Sequence, residues 1–119
     1  MKSFRERFDF DNRKVEAERI ISKYPTRIPV IVEKSPSCKV HQHLDRSKFL
    51  VPGDLKVSEF YLVIRKRMRE LQPHEALFFF VGDDNMMAKP SSTMSAIYQE
   101  MKSEDGFLYM SFNGESTFG

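Results

Sequence analysis

The side chains best suited to metal chemistry lie in one short stretch, where Cys38, His41 and His43 fall within six residues. Thiolate and imidazole groups are the usual ligands of Zn²⁺, and a structural zinc site takes about four of them. No fourth ligand follows at a suitable spacing, and the surrounding segment SPSCKVHQHLDRS is mostly polar. The sequence therefore favours a solvated loop over a metal site, and we predict neither a metal nor another cofactor.

The sequence also lacks a recognisable arrangement of catalytic residues. Cys38 has no base on a predicted helix or strand that would activate its thiol. The five glycines are scattered, so the sequence contains no Gly-rich phosphate-binding loop. We therefore predict that the protein is not an enzyme.

The stretch Lys48 to Arg67 has the pattern of a short strand, a Pro-Gly turn and a helix. Because strand side chains alternate between faces, Lys48 and Leu50 share one face while Phe49 and Val51 share the other. Both faces of the strand are therefore expected to be apolar.

The helix carries an apolar stripe at the spacing of one helical face, formed by Val57, Tyr61, Ile64, Met68 and Leu71. Phe60 and Val63 fall outside this stripe. The spare apolar surface on strand and helix is compatible with a groove rimmed by Lys48 and Arg67, and equally with additional core.

Length and composition predict one cytosolic domain. A chain of 119 residues with 40% hydrophobic and 30% charged residues can bury a core without disulfides. No apolar run approaches the roughly 18 residues of a membrane-spanning helix, and the N-terminus lacks the apolar core of a secretory signal. The single cysteine excludes an internal disulfide and fits a reducing compartment.

The charge is unevenly distributed along the chain. Residues 1–69 contain 17 Lys and Arg against 9 Asp and Glu, whereas residues 70–119 contain 2 against 8. This asymmetry predicts an electropositive face for acidic partners, unless the two halves interleave in space and cancel.

Periodicity and breakers give the order of the elements. Two helices within residues 1–24 precede strands at 27–33 and 48–51, the central helix, a strand at 76–81 that is expected to be buried on both faces, a short helix at 93–101 and a last strand at 107–112. Residues 113–119 form a polar tail. This is the order of an α+β β-grasp, or ubiquitin-like, fold: a four-stranded mixed sheet with a crossing helix, preceded by two N-terminal helices.

The chain resembles the autophagy-related ubiquitin-like modifiers, the GABARAP-like family. The resemblance runs over the whole chain and rests on the segments KYPTRIPVIVEK (23–34), SKFLVP (47–52), FYLVIRKR (60–67), ALFFFV (76–81) and DGFLYMSFNGESTFG (105–119). One departure is Lys56, which stands where the family usually has a helix-capping Thr or Ser. The implied domains are an N-terminal helical extension (1–24), a ubiquitin-like core (25–112) and a flexible conjugation tail (113–119).

The resemblance implies that the protein binds aromatic-x-x-aliphatic peptides of cargo receptors and autophagy proteins, which add a strand beside Lys48 to Leu50. The aromatic residue would enter a pocket lined by Glu16, Ile20, Pro29, Ile31, Lys48, Leu50 and Phe107. The aliphatic residue would enter a second pocket lined by Phe49, Val51, Pro52, Leu55, Phe60, Val63 and Ile64. Acidic flanks of the peptide would meet a charged rim formed by Arg27, Arg46, Lys48 and Arg67.

The resemblance also implies that the C-terminus is a reactive end. Gly119 would be activated, carried as a thioester and transferred to phosphatidylethanolamine, with Phe118 as an apolar anchor. Activating and conjugating enzymes and a deconjugating cysteine protease are then further partners, and the protein would lie in the cytoplasm and, once lipidated, on the autophagosome membrane.

A different class of function remains open at this point. The basic N-terminal half is also compatible with an unconjugated adaptor for cytoskeletal or nucleic-acid partners. The cationic run Arg65 to Arg69 is more simply interpreted as a solvated helix face, so we expect no nucleic acid.

Overall fold

The computed structural model describes residues 2–38, 44–68, 71 and 73–116, with only the backbone at 115 and 116. The elements in chain order are α1 (Phe4–Arg7), α2 (Phe10–Lys23), β1 (Arg27–Lys34), β2 (Lys48–Pro52), α3 (Val57–Arg67), β3 (Glu75–Val81), β4 (Met86–Met87), α4 (Met94–Met101) and β5 (Leu108–Ser116). No helix within the described part of the chain is long and apolar enough to cross a membrane.

The strands form one mixed sheet in the order β2-β1-β5-β3-β4, in which β1 and β5 are parallel and the other neighbours antiparallel. The expected α+β ubiquitin-like architecture is confirmed, but the expected number of four strands is wrong. The fifth strand is β4, which pairs with Phe80 and Val81. Gly82 and Asn85 adopt positive φ angles of 74° and 50°, and this tight reversal folds the chain back along β3.

Helices cover the two faces of the sheet unequally. The main core lies between the sheet and helices α3 and α4, and it contains the buried side chains of Val30, Phe49, Ile64, Phe79 and Met110 among others. The opposite face carries a smaller cluster beneath α1 and α2, formed by Phe4, Ala17, Ile20, Ile31 and Phe107. We refer to these as the main core and the N-terminal cluster.

Two expectations about burial are wrong. The sequence pattern predicts that Phe60 lies outside the core stripe of α3, yet its side chain is 2% exposed and belongs to the main core. Phe60 lies one turn from Val57, on the face of the helix that meets the sheet. Strand β3 is not buried on both faces. Leu77, Phe79 and Val81 point into the main core, whereas Phe78 is exposed, since the N-terminal cluster contains no β3 residue.

The start of α3 compensates for the missing Thr or Ser cap. Lys56 makes no side-chain capping bond, but its backbone N–H donates to the Glu59 carboxylate at 2.9 Å. The next two backbone N–H groups donate to the carbonyls of Ser92 and Pro90 at 2.9 and 3.0 Å. The connection before α4 thus satisfies the free donors that a side-chain cap would otherwise occupy.

Candidate functional site

Strand β2 is the terminal strand of the sheet, and among the described residues it pairs only with β1. The Val32 N–H donates to Ser47 O at 2.8 Å, and the Gly53 N–H donates to Thr26 O at 3.1 Å. Hydrogen-bonded pairs alternate along an antiparallel ladder, so Phe49 and Val51 direct their backbone groups to β1. The N–H and C=O groups of Lys48 and Leu50 therefore point away from the sheet, at an open edge.

The residues assigned to the aromatic pocket gather on one face of β2. Ile20, Ile31 and Phe107 are fully buried in the N-terminal cluster, and Leu50 packs against them while remaining half-buried. Pro29 is buried opposite Leu50 in the β1–β2 register. These five residues form an apolar floor beside the open edge.

Charged side chains border this floor. The Glu16 carboxylate accepts from Arg19 Nε at 2.6 Å and from Lys48 Nζ at 3.1 Å. These two cations, Arg19 first, lower the pKa of Glu16 against the opposing effect of burial. Glu16 and Lys48 therefore form an ion pair that connects α2 to the edge strand.

The residues assigned to the aliphatic pocket are divided between the core and the surface. Phe49, Val51, Phe60 and Ile64 are between 0% and 4% exposed and belong to the main core, where the Phe49 and Phe60 rings meet edge-to-face at 5.9 Å. Leu55 is half-buried, Pro52 is exposed and Val63 is 42% exposed. Pro52 follows Leu50 in the strand alternation and lies on the Leu50 face, whereas the other six lie on the main-core side. Four of those six are buried in the main core, and Leu55 packs against it.

Two guanidinium groups cover the outer side of Phe49. Arg46 and Arg67 place their Cζ atoms 5.1 and 5.5 Å from the ring centroid, within the range of a cation–π contact. Arg67 also forms an ion pair with Asp45 at 3.3 Å. On the other face of the strand, Arg27 donates to the carbonyl oxygen of Leu50 at 3.1 Å. Lys48 belongs to β2 itself, so all four predicted rim cations lie at the β2 edge.

Comparison with known proteins identifies the family. A model of the family described as Autophagy protein Atg8 ubiquitin like matches residues 12–119. The chain belongs to this family. It is 50% identical over 117 residues to Autophagy-related protein 8 of Mycosarcoma maydis, covering 98% of this chain and 96% of that protein. It is also 50% identical over 117 residues to Autophagy-related protein 8d of Arabidopsis thaliana, covering 98% and 94%.

A solved structure gives the same result at the level of the fold. The crystal structure of Trypanosoma brucei ATG8 superimposes with a TM-score of 0.84 at 39% identity, and each chain is covered completely. The resemblance to the autophagy-related ubiquitin-like family is therefore confirmed, and this chain is an autophagy ubiquitin-like protein.

The C-terminal strand of this Atg8-family chain is longer than expected. The sequence pattern placed its end at Phe112, but β5 continues to Ser116, which pairs with Glu75 of β3. The polar residues of 113–116 remain in the sheet because β3 offers a pairing partner along their whole length. Phe118 and Gly119 lie outside the described residues, as do His41 and His43 of the loop considered for metal binding. Among the described residues no His, Cys, Asp and Glu group has the arrangement of a metal site.

Sequence reasoning missed Asp105, which holds the aromatic-pocket residue Phe107 in place. Asp105 is 1% exposed, and its carboxylate accepts from Arg13 Nε at 3.0 Å, from the Phe107 N–H at 2.9 Å and from the Tyr109 hydroxyl at 2.5 Å. Burial and the neighbouring carboxylate together raise the pKa of Tyr109. The signal in the sequence was the Asp-Gly pair before the last strand, since Gly106 has a φ of 94° that only glycine adopts readily.

Ion pairs in this Atg8-family protein show how its basic N-terminal half and its acidic C-terminal half are arranged in space. Arg13 pairs with Asp105, and Arg5 pairs with Asp83 at 2.9 Å, so basic residues of the N-terminal half meet acidic residues of the C-terminal half. The Cζ atom of Arg5 also lies 3.8 Å from the centroid of the Tyr109 ring. The two halves therefore interleave around α1 and α2, whereas Arg27, Arg46 and Lys48 lie at the β2 edge.

A separate apolar hollow of about 270 Å³ lies between α3 and the strands β3 and β4. Tyr61, Phe79 and Met87 contribute to its walls. None of its lining residues was assigned to a peptide pocket, so it is distinct from the β2 edge.

Proposed function

We propose that this autophagy protein is a ubiquitin-like modifier that binds aromatic-x-x-aliphatic peptides at β2 and is conjugated through Gly119 to phosphatidylethanolamine. In this role it is a substrate of activating and conjugating enzymes and of a deconjugating cysteine protease, and not itself an enzyme. It would recruit cargo receptors and autophagy factors, in the cytoplasm and, when lipidated, on autophagosome membranes.

The observation that carries the peptide-binding part is the outward direction of the Lys48 and Leu50 backbone groups. An extended peptide can satisfy these donors and acceptors by adding a strand, and side-chain pockets on the two faces then provide specificity. Period-2 alternation places successive peptide side chains on opposite faces of the extended sheet. A motif with an aromatic residue and an aliphatic residue three positions later thereby presents one side chain to each face.

Leu50→Ala tests the peptide-binding part. The change removes apolar contact at the centre of the edge strand. We expect the dissociation constant of an aromatic-x-x-aliphatic peptide, measured by calorimetric titration, to rise about ten-fold. Leu62→Ala is the matched control, because Leu62 is 54% exposed on α3 and was assigned to neither pocket. Equal affinity of the two folded variants would contradict strand addition at this edge.

Deletion of Gly119 tests the conjugation part. Glycine has no Cβ, so its carbonyl can approach an enzyme cysteine closely, whereas a terminal Phe118 would carry its ring next to the reacting carbon. We expect the deletion to abolish the thioester and the phosphatidylethanolamine adduct in a reconstituted gel-shift assay. Peptide affinity and melting temperature should stay at the full-length values. A lipid adduct formed normally by the truncated chain would exclude Gly119 as the acyl donor.

A further inference from the structure

The carbonyl of Leu50 already has a hydrogen-bond donor. Arg27 lies opposite Pro52 in the β1–β2 register, and its side chain extends on the face that carries Pro29 and Leu50. Its Nη1 donates to Leu50 O at 3.1 Å. The side chain thus crosses β2 diagonally and reaches a backbone acceptor on the outer side of the strand.

This acceptor is one that a docking strand requires. Because Phe49 and Val51 bond to β1, the outward groups available between them are the N–H and C=O of Leu50. A strand added in either direction would donate one N–H to that carbonyl oxygen at about 2.9 Å. The Arg27 guanidinium and the incoming backbone N–H therefore approach the same oxygen atom.

We propose that Arg27 is a latch on the β2 edge, which a bound peptide must displace and which selects peptides carrying a carboxylate that can receive the released guanidinium. This inference rests on the proposed peptide-binding function and adds its regulation. A neutral peptide satisfies the Leu50 carbonyl with its own N–H but offers no acceptor to the released Arg27 guanidinium. An acidic peptide gives that guanidinium a charge-assisted hydrogen bond, which is stronger than a bond between neutral groups.

The other rim cations have a different arrangement. Lys48 pairs with Glu16 and Arg67 with Asp45, so their partners are carboxylates of neighbouring elements. Arg46 lies over the Phe49 ring. These cations attract an acidic peptide without occupying the Leu50 carbonyl, whereas Arg27 both attracts the acidic flank and blocks the strand. Removal of Arg27 is therefore expected to have opposite effects on the two peptide classes.

The variant Arg27→Met tests the latch, because methionine keeps an apolar stem but has no donor. Two peptides with the same aromatic-x-x-aliphatic motif are titrated, one with acidic flanks and one with neutral flanks. We expect the neutral peptide to bind about two- to ten-fold more tightly to the variant, as for the removal of one competing hydrogen bond. The acidic peptide is expected to gain nothing or to lose affinity, so the preference for acidic flanks falls.

Arg7→Met is the matched control. It changes the net charge equally, and Arg7 is exposed on α1, where its guanidinium lies 5.3 Å from the Phe8 ring centroid. It should leave the ratio of the two affinities unchanged. NMR of the free protein tests the contact itself. The carbon-13 chemical shift of the Leu50 carbonyl should change in Arg27→Met and stay the same in Arg7→Met.

The outcomes separate the latch from the proposed function. Weaker binding of both peptides to Arg27→Met, an unchanged ratio, or an unchanged Leu50 carbonyl shift would overturn the latch while leaving peptide binding intact. If the wild-type protein bound neither peptide, the proposed function would fail and the latch with it. Melting temperatures of all variants are measured beside the titrations, so that a loss of folding is recognised as such.

Discussion

The two faces of β2 differ in what their residues already contact. On the Leu50 face, a half-buried side chain lies over the N-terminal cluster, and the ion pair of Glu16 with Lys48 borders it. On the opposite face, Phe49 and Val51 are packed into the main core, and the Phe49 ring is covered by Arg46 and Arg67. Within the strand itself, the Leu50 side chain therefore keeps accessible apolar surface, whereas Phe49 and Val51 have used theirs in folding.

This difference separates the roles of residues that the family resemblance grouped together as pocket residues. A ligand on the Leu50 face meets the part of that side chain which folding has left accessible, so truncation of Leu50 should act mainly on binding. Phe49, Val51, Phe60 and Ile64 also stabilise the fold, so truncation on that face should act first on stability. An aliphatic ligand side chain would meet Leu55 and Val63 at the surface and reach Phe49 only if the covering guanidinium groups moved.

The largest expected effect comes from Phe49→Ala. Phe49 is 4% exposed and packs edge-to-face on Phe60, so its truncation leaves a cavity in the main core. We expect the free energy of unfolding to fall by about 3–5 kcal/mol, measured by denaturant titration. Leu50→Ala, which removes a half-buried side chain, should lower it by less than about 2 kcal/mol. Similar losses for the two variants would remove the distinction between the two faces.

Asp105→Asn tests how the Leu50 face is supported. The substitution keeps the shape but removes the charge that accepts bonds from Arg13, Phe107 and Tyr109. We expect a loss of about 2–3 kcal/mol, since hydrogen bonds to a charged group are individually strong. Hydrogen exchange should show the loss in α2 before α3. Asp54→Asn, at an exposed carboxylate, is the control, and faster exchange in α3 first would contradict the prediction.

Charge reversal at Lys48 and Arg67 tests the rim on both faces at once. In the double variant with Glu at both positions, peptides with acidic flanks should associate several-fold more slowly at low salt, because steering by opposite charge is lost. Peptides with neutral flanks should be affected little. Stopped-flow rates at two ionic strengths measure this, and equal slowing of both peptides would indicate damage to the edge itself.

The smallest expected effect is that of Glu16→Gln. Because Arg19 and Lys48 hold the pKa of Glu16 below its ordinary value, the ion pairs stabilise the fold above about pH 4.3 and are lost as the pH falls through the lowered pKa. The variant should therefore be less stable than the wild type at pH 7, by no more than about 1 kcal/mol for partly exposed pairs. At pH 3 the difference should shrink. Denaturant titrations at both pH values measure it, and a difference that grew on acidification would contradict the sign.

Local periodicity in the sequence was enough to assign the two faces of β2. Alternation along Lys48 to Val51 is a property of any extended backbone, and it correctly separated Leu50 from Phe49 and Val51. The order of the four helices and of the four longer strands was predictable for the same reason, since each has its own period and its own breakers, whereas the two-residue strand β4 was missed. The family followed from motifs that lie within these elements.

Burial and pairing were decided only by the tertiary structure, because they depend on residues distant in the sequence. Phe60 belongs to the core because Phe49 of β2 meets it, and β5 extends to Ser116 because β3 pairs with it. The bond from Arg27 to Leu50 spans 23 residues, and that from Arg13 to Asp105 spans 92. A local pattern fixes the direction in which a side chain points, whereas its partner is fixed by the packing of separate elements against one another.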